Sequence, residues 1–372
     1  MSDYEQLHRY LIDSMTASGS LRTQPWRRAA ETVQRHEFLR GGFFRLVPGS
    51  TPSAWSPVLE GSDGWLQGAY ADESLVTQIA GTIKPTDIRG EIMREPTSSS
   101  TLPSLVLRML EDLRLEPEMT VLEIGTGTGY STAVLCARLG DDYVTSIEYD
   151  EEVAQRAQGA LGRHGAFPAL LTGDGLLGDA DRAPYDRVIA TCAVRTVPTA
   201  WLEQTRPGGQ ILTTIGGWLN ASELVRLKVD GDGTASGPVL GGHVSFMLAR
   251  PHLAPPLGLL PDLTAGKERE TRIGADVLRD WTTRFVTQFA VPTAQHLGLQ
   301  LDGRNEDALV DAETGSWAAL REESGYWIVR QDGAVPLWDV VEEHLGRWHA
   351  AGTPAVEKAT VRVTAEGQSI HW

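Results

Sequence analysis

The chain is poor in cysteine, short of basic charge and free of long apolar runs, and each shortage excludes something. Two cysteines, Cys136 and Cys192, occur in 372 residues. One falls in a predicted helix and the other at a predicted strand end. They form no C-x-x-C pair, so neither a structural metal site nor a disulfide framework is indicated; two reduced, buried thiols are expected. Lys and Arg number 33 against 49 Asp and Glu, a formal net charge of −16. A field of that sign repels phosphate backbones, which argues against a nucleic-acid partner. It also disfavours an acidic peptide, unless basic residues line the groove locally or the peptide's acids are masked. No apolar stretch reaches membrane-span length and the N-terminus lacks a basic-then-apolar signal, so no membrane contact and a cytoplasmic location are expected. No internal repeat or low-complexity segment appears.

What is present centres on Val121-Leu-Glu-Ile-Gly-Thr-Gly-Thr-Gly-Tyr130. An apolar run, 120–124, reads as a buried strand. Gly125, Gly127 and Gly129 follow, then a helix over 131–139 with Ala133, Val134, Ala137 and Leu139 as its packed face. Strand, glycine turn and helix open a nucleotide-binding α/β fold. Glycine lets the backbone turn sharply and lets a ligand lie against the main chain; the helix N-terminus offers free N–H groups. The dinucleotide spacing G-x-G-x-x-G is not met, because its third position falls on Thr128 or Tyr130. A glycine loop alone also suits an ordinary strand–helix turn. Three later features carry more weight. Val144–Glu148 reads as a strand ending in an acid about 20 residues on, where a carboxylate can take both ribose hydroxyls. Gly173-Asp174-Gly175 follows a short strand, 169–172, and places Asp174 to reach an adenine amino group. Strands at 186–192 and 210–214 complete an alternating β/α series. The whole resembles the Rossmann-like class I methyltransferase sheet that uses S-adenosylmethionine (SAM).

Further motifs narrow the resemblance. Pro96-Thr-Ser-Ser-Ser-Thr-Leu-Pro-Ser104 precedes the glycine loop, and Ala183-Pro-Tyr-Asp186 follows Gly173-Asp-Gly175. Together with Glu123 to Tyr130, these resemble the protein-L-isoaspartate O-methyltransferase family over roughly residues 25–250. Val33 to Leu39 resembles that family's pre-core helix, and Tyr70-Ala-Asp72 its Tyr-x-Asp element. The resemblance implies SAM as cofactor, with Gly125, Thr126, Gly127, Gly129 and Tyr130 around it and Glu123 supporting the loop. It implies Glu148, beside Tyr149, for the ribose, and Asp174 and Gly175 for adenine. Thr101 matches the family's substrate-side hydroxyl, usually serine, with Ser99 and Ser100 as competitors; a flexible polar loop is the plain alternative for this run. The repair enzymes are shorter than this chain. The long C-terminal addition resembles methyltransferases that accompany ATP-grasp peptide ligases and act on ribosomally made precursor peptides (graspetides). The expectation drawn is therefore methylation of an aspartate carboxylate in a premodified, ester-crosslinked precursor peptide, closing to aspartimide, with an ATP-grasp ligase as partner. Isoaspartyl repair is the alternative, and a non-catalytic SAM-binding, peptide-holding partner a further one.

Methyl transfer from a sulfonium to a carboxylate needs little acid–base help, since the acid's reference pKa is about 3.9. Alignment is the main task, worth about 7–11 kcal/mol. That agrees with the lack of an evident His–Asp or Cys–His pair.

The expected organisation is N-terminal helices and a wrapping segment over 1–95, the SAM-binding core over 96–250, a linker over 251–269 and an α+β module over 270–372. Helices are expected at 3–18, from Pro25 to Leu39 and at 104–115, with His36 exposed or capping. Residues 41–62 read as a wrapping loop, 75–79 as part of a short hairpin and 80–100 as a polar connection. Strands are expected at 224–229 and 244–248. The last segment carries a helix face from Val277 to Phe285, a hairpin over 318–330, a helix over 337–348 and a hairpin joining 359–363 to 369–372. Trp281, Trp317, Trp327, Trp338, Trp348 and Trp372 fall there; they are expected to fill a small core, with a peptide-docking face as the sharper alternative.

Overall fold

The structure is a computed structural model and describes residues 3–301 and 303–372. Met1 and Ser2 of segment 1–95, and Asp302 of segment 270–372, lie outside the described residues. The chain forms two compact units, Met1–Thr191 with Ala200–Leu212, and Cys192–Thr199 with Thr213–Trp372. It passes between them three times, inside the strands Tyr185–Val194 and Thr205–Gly216 and at the start of the short helix Thr199–Glu203.

In the first unit Val121–Ile124 lies between Tyr185–Val194 and Val144–Glu148, with Ala169–Thr172 beyond, all parallel. Val121, Leu122, Val188 and Ala190 are fully buried. Continuous apolar runs of this kind suit a parallel sheet covered on both faces. Helices Tyr130–Leu139 and Glu151–His164 supply the crossovers. Asp150 caps the second, accepting from the backbone N–H of Glu152 and Val153 at 3.1 Å each.

The N-terminal helix Asp3–Ala17 buries His8, Leu11, Ile12 and Met15, one apolar stripe. The next, Gln24–Thr32, has Pro25 in its first turn but stops early. Val33 is extended, and Arg35–Leu39 is a separate 3-10 turn that sends Arg35 inward. Residues 41–62 and 80–100 are not simply loops. Phe43–Leu46, Trp55–Val58, Leu75–Ile79 and Pro96–Ser100 form an antiparallel sheet in the order 55–58, 43–46, 75–79, 96–100. Its apolar side is Phe44, Val76 and Ile79, with Trp55 and Ile92 packed against them. Helix Pro103–Asp112 follows.

In the second unit, strands Ser222–Val229, Ala235–Pro238, Thr360–Thr364 and Gly367–His371 pair antiparallel in that order. Residues 244–248 were expected to complete this sheet; they make one bridge, Ala193 to Leu248, and Ala235–Pro238 with the C-terminal hairpin takes the place. A five-stranded antiparallel sheet follows the order 267–271, 326–332, 317–323, 304–311, 294–301. Alternate residues point to opposite faces. Leu309, Ala318, Leu320 and Val329 pack with helix Leu337–Ala350, while Ala308, Val310, Trp317 and Ala319 form a second cluster with Leu263. Trp317, Trp338 and Trp348 are buried core residues, and Trp327 and Trp372 pack partly buried against the first cluster. Among the described residues no helix is long and apolar enough to cross a membrane.

Candidate active site

The site follows from strand register. Ile124 pairs with Ile147 and with Ala190, and Glu148 pairs with Thr172. Three of the parallel strands, Val121–Ile124, Val144–Glu148 and Ala169–Thr172, therefore end close to one level, while Tyr185–Val194 runs on past Ala190; Gly125, Glu148, Gly173 and Thr191 lie along that rim, where open α/β sheets take their ligands.

Gly125, Gly127 and Gly129 have φ of 94°, 56° and 88°, a left-handed run that side chains resist. Each glycine answers a different neighbour. A Cβ on Gly125 would stand 2.8 Å from Thr191 Oγ1, whose hydroxyl donates to the Gly125 carbonyl at 2.5 Å. A Cβ on Gly127 would be 3.4 Å from the Ser99 carbonyl oxygen, which brings the serine strand over the loop. A Cβ on Gly129 would meet Leu161 at 3.2 Å, so that glycine serves helix packing.

The acids divide the work. Glu123 is fully buried; Ser131 and Thr132 each donate to it at 2.5 Å and Ser146 at 2.7 Å. Burial raises its pKa despite those hydroxyls. Both oxygens are engaged, by the first turn of the helix that follows the loop and by the neighbouring strand. Glu148 is half-buried. Its Oε2 accepts the Gly127 N–H at 2.8 Å and its Oε1 the Asp150 N–H at 3.1 Å. Burial raises this pKa too, with the backbone N–H groups of Gly127, Asp150 and Tyr149 opposing. A carboxylate has about four acceptor positions, so Glu148 keeps capacity for hydroxyls. Asp174 is half-buried and spends Oδ1 on the Leu176 N–H at 2.9 Å. Gly175 is buried against Ile124, and its carbonyl accepts from Trp201 Nε1 at 2.8 Å.

The serine run is a strand end, not a flexible loop. Its support is Arg35, 1% exposed, which sequence reasoning missed. The guanidinium donates to the carbonyls of Ala69, Ala71, Glu73, Ser100 and Thr101 at 2.8–3.2 Å and reaches Ser100 Oγ at 3.4 Å. Burial lowers its pKa to about 10, so it stays charged at neutral pH. Asp72 accepts the Ser104 N–H at 2.9 Å and Ser74 Oγ the Leu102 N–H at 3.1 Å. Gln78, fully buried, accepts from Thr97 at 2.9 Å and donates to Asp150 at 3.2 Å, joining this strand to the residue after Tyr149.

The expected hydroxyls separate accordingly. Ser100 is 2% exposed and faces Arg35, which corrects its assignment as a substrate contact. Ser99 and Thr101 are half-buried. The Tyr130 ring is buried edge-on to Phe38, so what this residue can offer at the loop is its backbone. Thr126 is 4% exposed, with its hydroxyl 2.7 Å from Ser146 Oγ, so its side chain faces inward. Tyr149 is 50% exposed beside Glu148. His36, expected at the surface, is half-buried with Nδ1 2.6 Å from the Tyr70 hydroxyl. Cys136 is buried and Cys192 half-buried.

Comparison with known proteins agrees with this geometry. Residues 73–247 match the family model described as protein-L-isoaspartate(D-aspartate) O-methyltransferase (PCMT). The chain is similar to a protein-L-isoaspartate O-methyltransferase of Staphylothermus marinus, 30% identical over 223 residues, covering 58% of this chain and 82% of that one. It is similar to one of Myxococcus xanthus, 39% identical over 127 residues, covering 34% of this chain and 59% of the relative. The chain spans about three-fifths of the length of the first curated relatives it matches. A solved structure titled protein-L-isoaspartate O-methyltransferase shares the fold with a TM-score of 0.60 at 21% identity, over 98% of this chain and 99% of that one. Against that structure the expected contrast in length disappears.

Proposed function

The chain belongs to the protein-L-isoaspartate O-methyltransferase family, and on that premise we propose that it is a SAM-dependent protein carboxyl O-methyltransferase acting on the free carboxylate of an isoaspartyl residue. The observation that carries this is the meeting of Glu148, the Gly127 backbone and the Ser99 carbonyl at the carboxyl-end rim of the parallel strands. The donor set fits an adenosyl group. Glu148 keeps acceptor capacity for a ligand hydroxyl, Gly127 admits a ligand to the main chain, and Asp174 uses one oxygen locally. When bound, SAM supplies a methyl carbon made electrophilic by its sulfonium.

The chain's residues then position the acceptor. A carboxylate is ionised at neutral pH, so no side chain has to remove a proton. Ser99 and Thr101 offer hydroxyls to hold it, on a backbone fixed by Arg35 and Asp72. A rigid mount suits a reaction in which alignment is worth about 7–11 kcal/mol.

The narrower reading, an aspartate in a crosslinked precursor peptide made by an ATP-grasp ligase, would draw on the five-stranded sheet beyond the matched residues 73–247, but the fold shared with the solved structure extends over that sheet as well. One experiment separates the readings. The protein is incubated with SAM and an isoaspartyl peptide, its aspartyl twin, or a crosslinked precursor, and products are weighed by mass spectrometry. Faster gain of one methyl by the isoaspartyl peptide supports repair. Methyl gain followed by methanol loss on the precursor alone supports the narrower reading. SAM binding with no carboxylate methylated would refute both and leave a peptide-holding role.

A further inference from the structure

The first unit holds a cleft that the assignments above do not use. It has a volume of about 420 Å³. Gly127 and Thr128 form one wall, with the turn at Lys84, the segment from Glu37 to Gly42 and one face of helix Glu151–His164 around it. Neither Glu148 nor Asp174 lines it. Four cations do: Arg40, Lys84, Arg156 and Arg163; Glu37 is the single acid among the lining residues. Arg40 is engaged with Glu37 at 2.8 Å, and Lys84 with Glu152 at 2.6 Å. Arg156 and Arg163, two turns apart on the helix face, are exposed and form no ion pair among the described residues. The helix opens between them at Gly159, where a Cβ would lie 3.6 Å from the Arg163 guanidinium. That guanidinium also reaches the Glu37 carbonyl at 3.5 Å, so it spans the cleft from helix to opposite wall.

On a chain of net charge −16 a cation-lined hollow is out of keeping with its surroundings. Guanidinium forks recognise carboxylates in pairs of hydrogen bonds. The cleft also shares Gly127 with the site, since the missing Cβ of Gly127 faces the Ser99 carbonyl while the residue lines the cleft. A polypeptide presenting its carboxylate at Ser99 and Thr101 therefore has its neighbouring residues within reach of these cations. We propose that the cleft receives Asp or Glu side chains flanking the methylated residue, and so selects acidic polypeptide segments. The identity of the ligand as a polypeptide rests on the carboxyl-methyltransferase reading.

The test uses the full chain and two readouts. Fluorescence anisotropy compares a labelled Glu-flanked peptide with its Gln-flanked twin. Steady-state methylation compares isoaspartyl peptides with the same flanks. The wild type is expected to bind the Glu-flanked peptide about tenfold tighter, with KM lower by a similar factor and kcat unchanged, a preference that shrinks as salt is added. Arg156→Glu with Arg163→Glu should erase or reverse it while the Gln-flanked peptide is methylated as before. If the reversals unfold the chain, Arg156→Gln with Arg163→Gln gives the same comparison. Equal binding of both flanks by the wild type, or a preference that survives the substitutions, overturns the proposal. Tight binding of acidic flanks without methylation would sustain the cleft and sink the carboxyl-methyltransferase reading; methylation blind to the flanks would do the reverse.

Discussion

Replacing Arg35 with Met tests whether the substrate strand is held as described. Methionine fills much of the same volume and removes every donor. Five carbonyls, those of Ala69, Ala71, Glu73, Ser100 and Thr101, lose a partner 2.8–3.2 Å away in a place that is 1% exposed. A buried acceptor left unpaired costs about 1–3 kcal/mol. Two such acceptors among the five, less the relief of no longer burying a cation, give a net loss of about 2–4 kcal/mol. Against a total stability of about 5–15 kcal/mol that is a large share. Arg35→Lys keeps the charge with three donors in place of five and should lose about half as much. Urea unfolding, followed by tryptophan fluorescence, measures the loss. SAM affinity, measured by calorimetry on protein that is still folded, should stay within about threefold, because Glu148 and the glycine loop do not touch Arg35. Methylation of the peptide should fall by at least about tenfold, because the Thr101 carbonyl loses its anchor. A stability loss under about 0.5 kcal/mol, or SAM binding and methylation falling together, would refute the reasoning.

Other outcomes follow from the same geometry. Glu148→Gln should weaken SAM binding by about tenfold or more. In the wild type, affinity should fall as pH drops through the raised Glu148 pKa, whereas the variant should titrate flat over that range; calorimetry across pH decides. Glu123 is also raised, so the folded state keeps its proton to higher pH than the unfolded chain. Its contribution to stability is complete below the ordinary carboxylate range and is lost as pH rises through the raised value. Urea midpoints of wild type and Glu123→Gln, measured between about pH 4 and pH 8, should therefore converge toward acid and separate toward neutral pH. Thr101→Val should lower kcat, while Ser100→Ala should lower stability with little change in kcat; the opposite pattern would return Ser100 to the substrate side.

The parallel strands were legible as short runs bounded by turn residues, Val121–Ile124 because burial keeps it mostly apolar. Val144–Glu148 and Ala169–Thr172 fall where the sequence places them, and the acid at the strand end lands on the rim because register carries it there. The serine strand was not legible. Pro96–Ser100 is polar throughout, and what makes it a strand is its pairing with Leu75–Ile79. Arg35 was harder still. In Val33 to Leu39 it sits beside His36 and Glu37 and reads as a solvated face. The carbonyls that bury it lie 34 to 66 residues further along, and no local pattern reports them. The same holds for Gln78, whose partner Asp150 is 72 residues away.

Net charge is a coarse guide for a related reason. The value of −16 is a sum over the whole chain, but a ligand responds to the field where it sits. At physiological ionic strength exposed charges are screened beyond about 8 Å. Arg156 and Arg163 lie on one helix face, with Arg40 and Lys84 in the walls around them, so a cleft of this size is governed by its own lining. Carboxylates elsewhere on the surface then act mainly to turn acidic ligands away from other places. An acidic protein with a basic hollow beside its glycine loop is in this sense better suited to choosing acidic segments than a basic protein, whose whole surface would hold them.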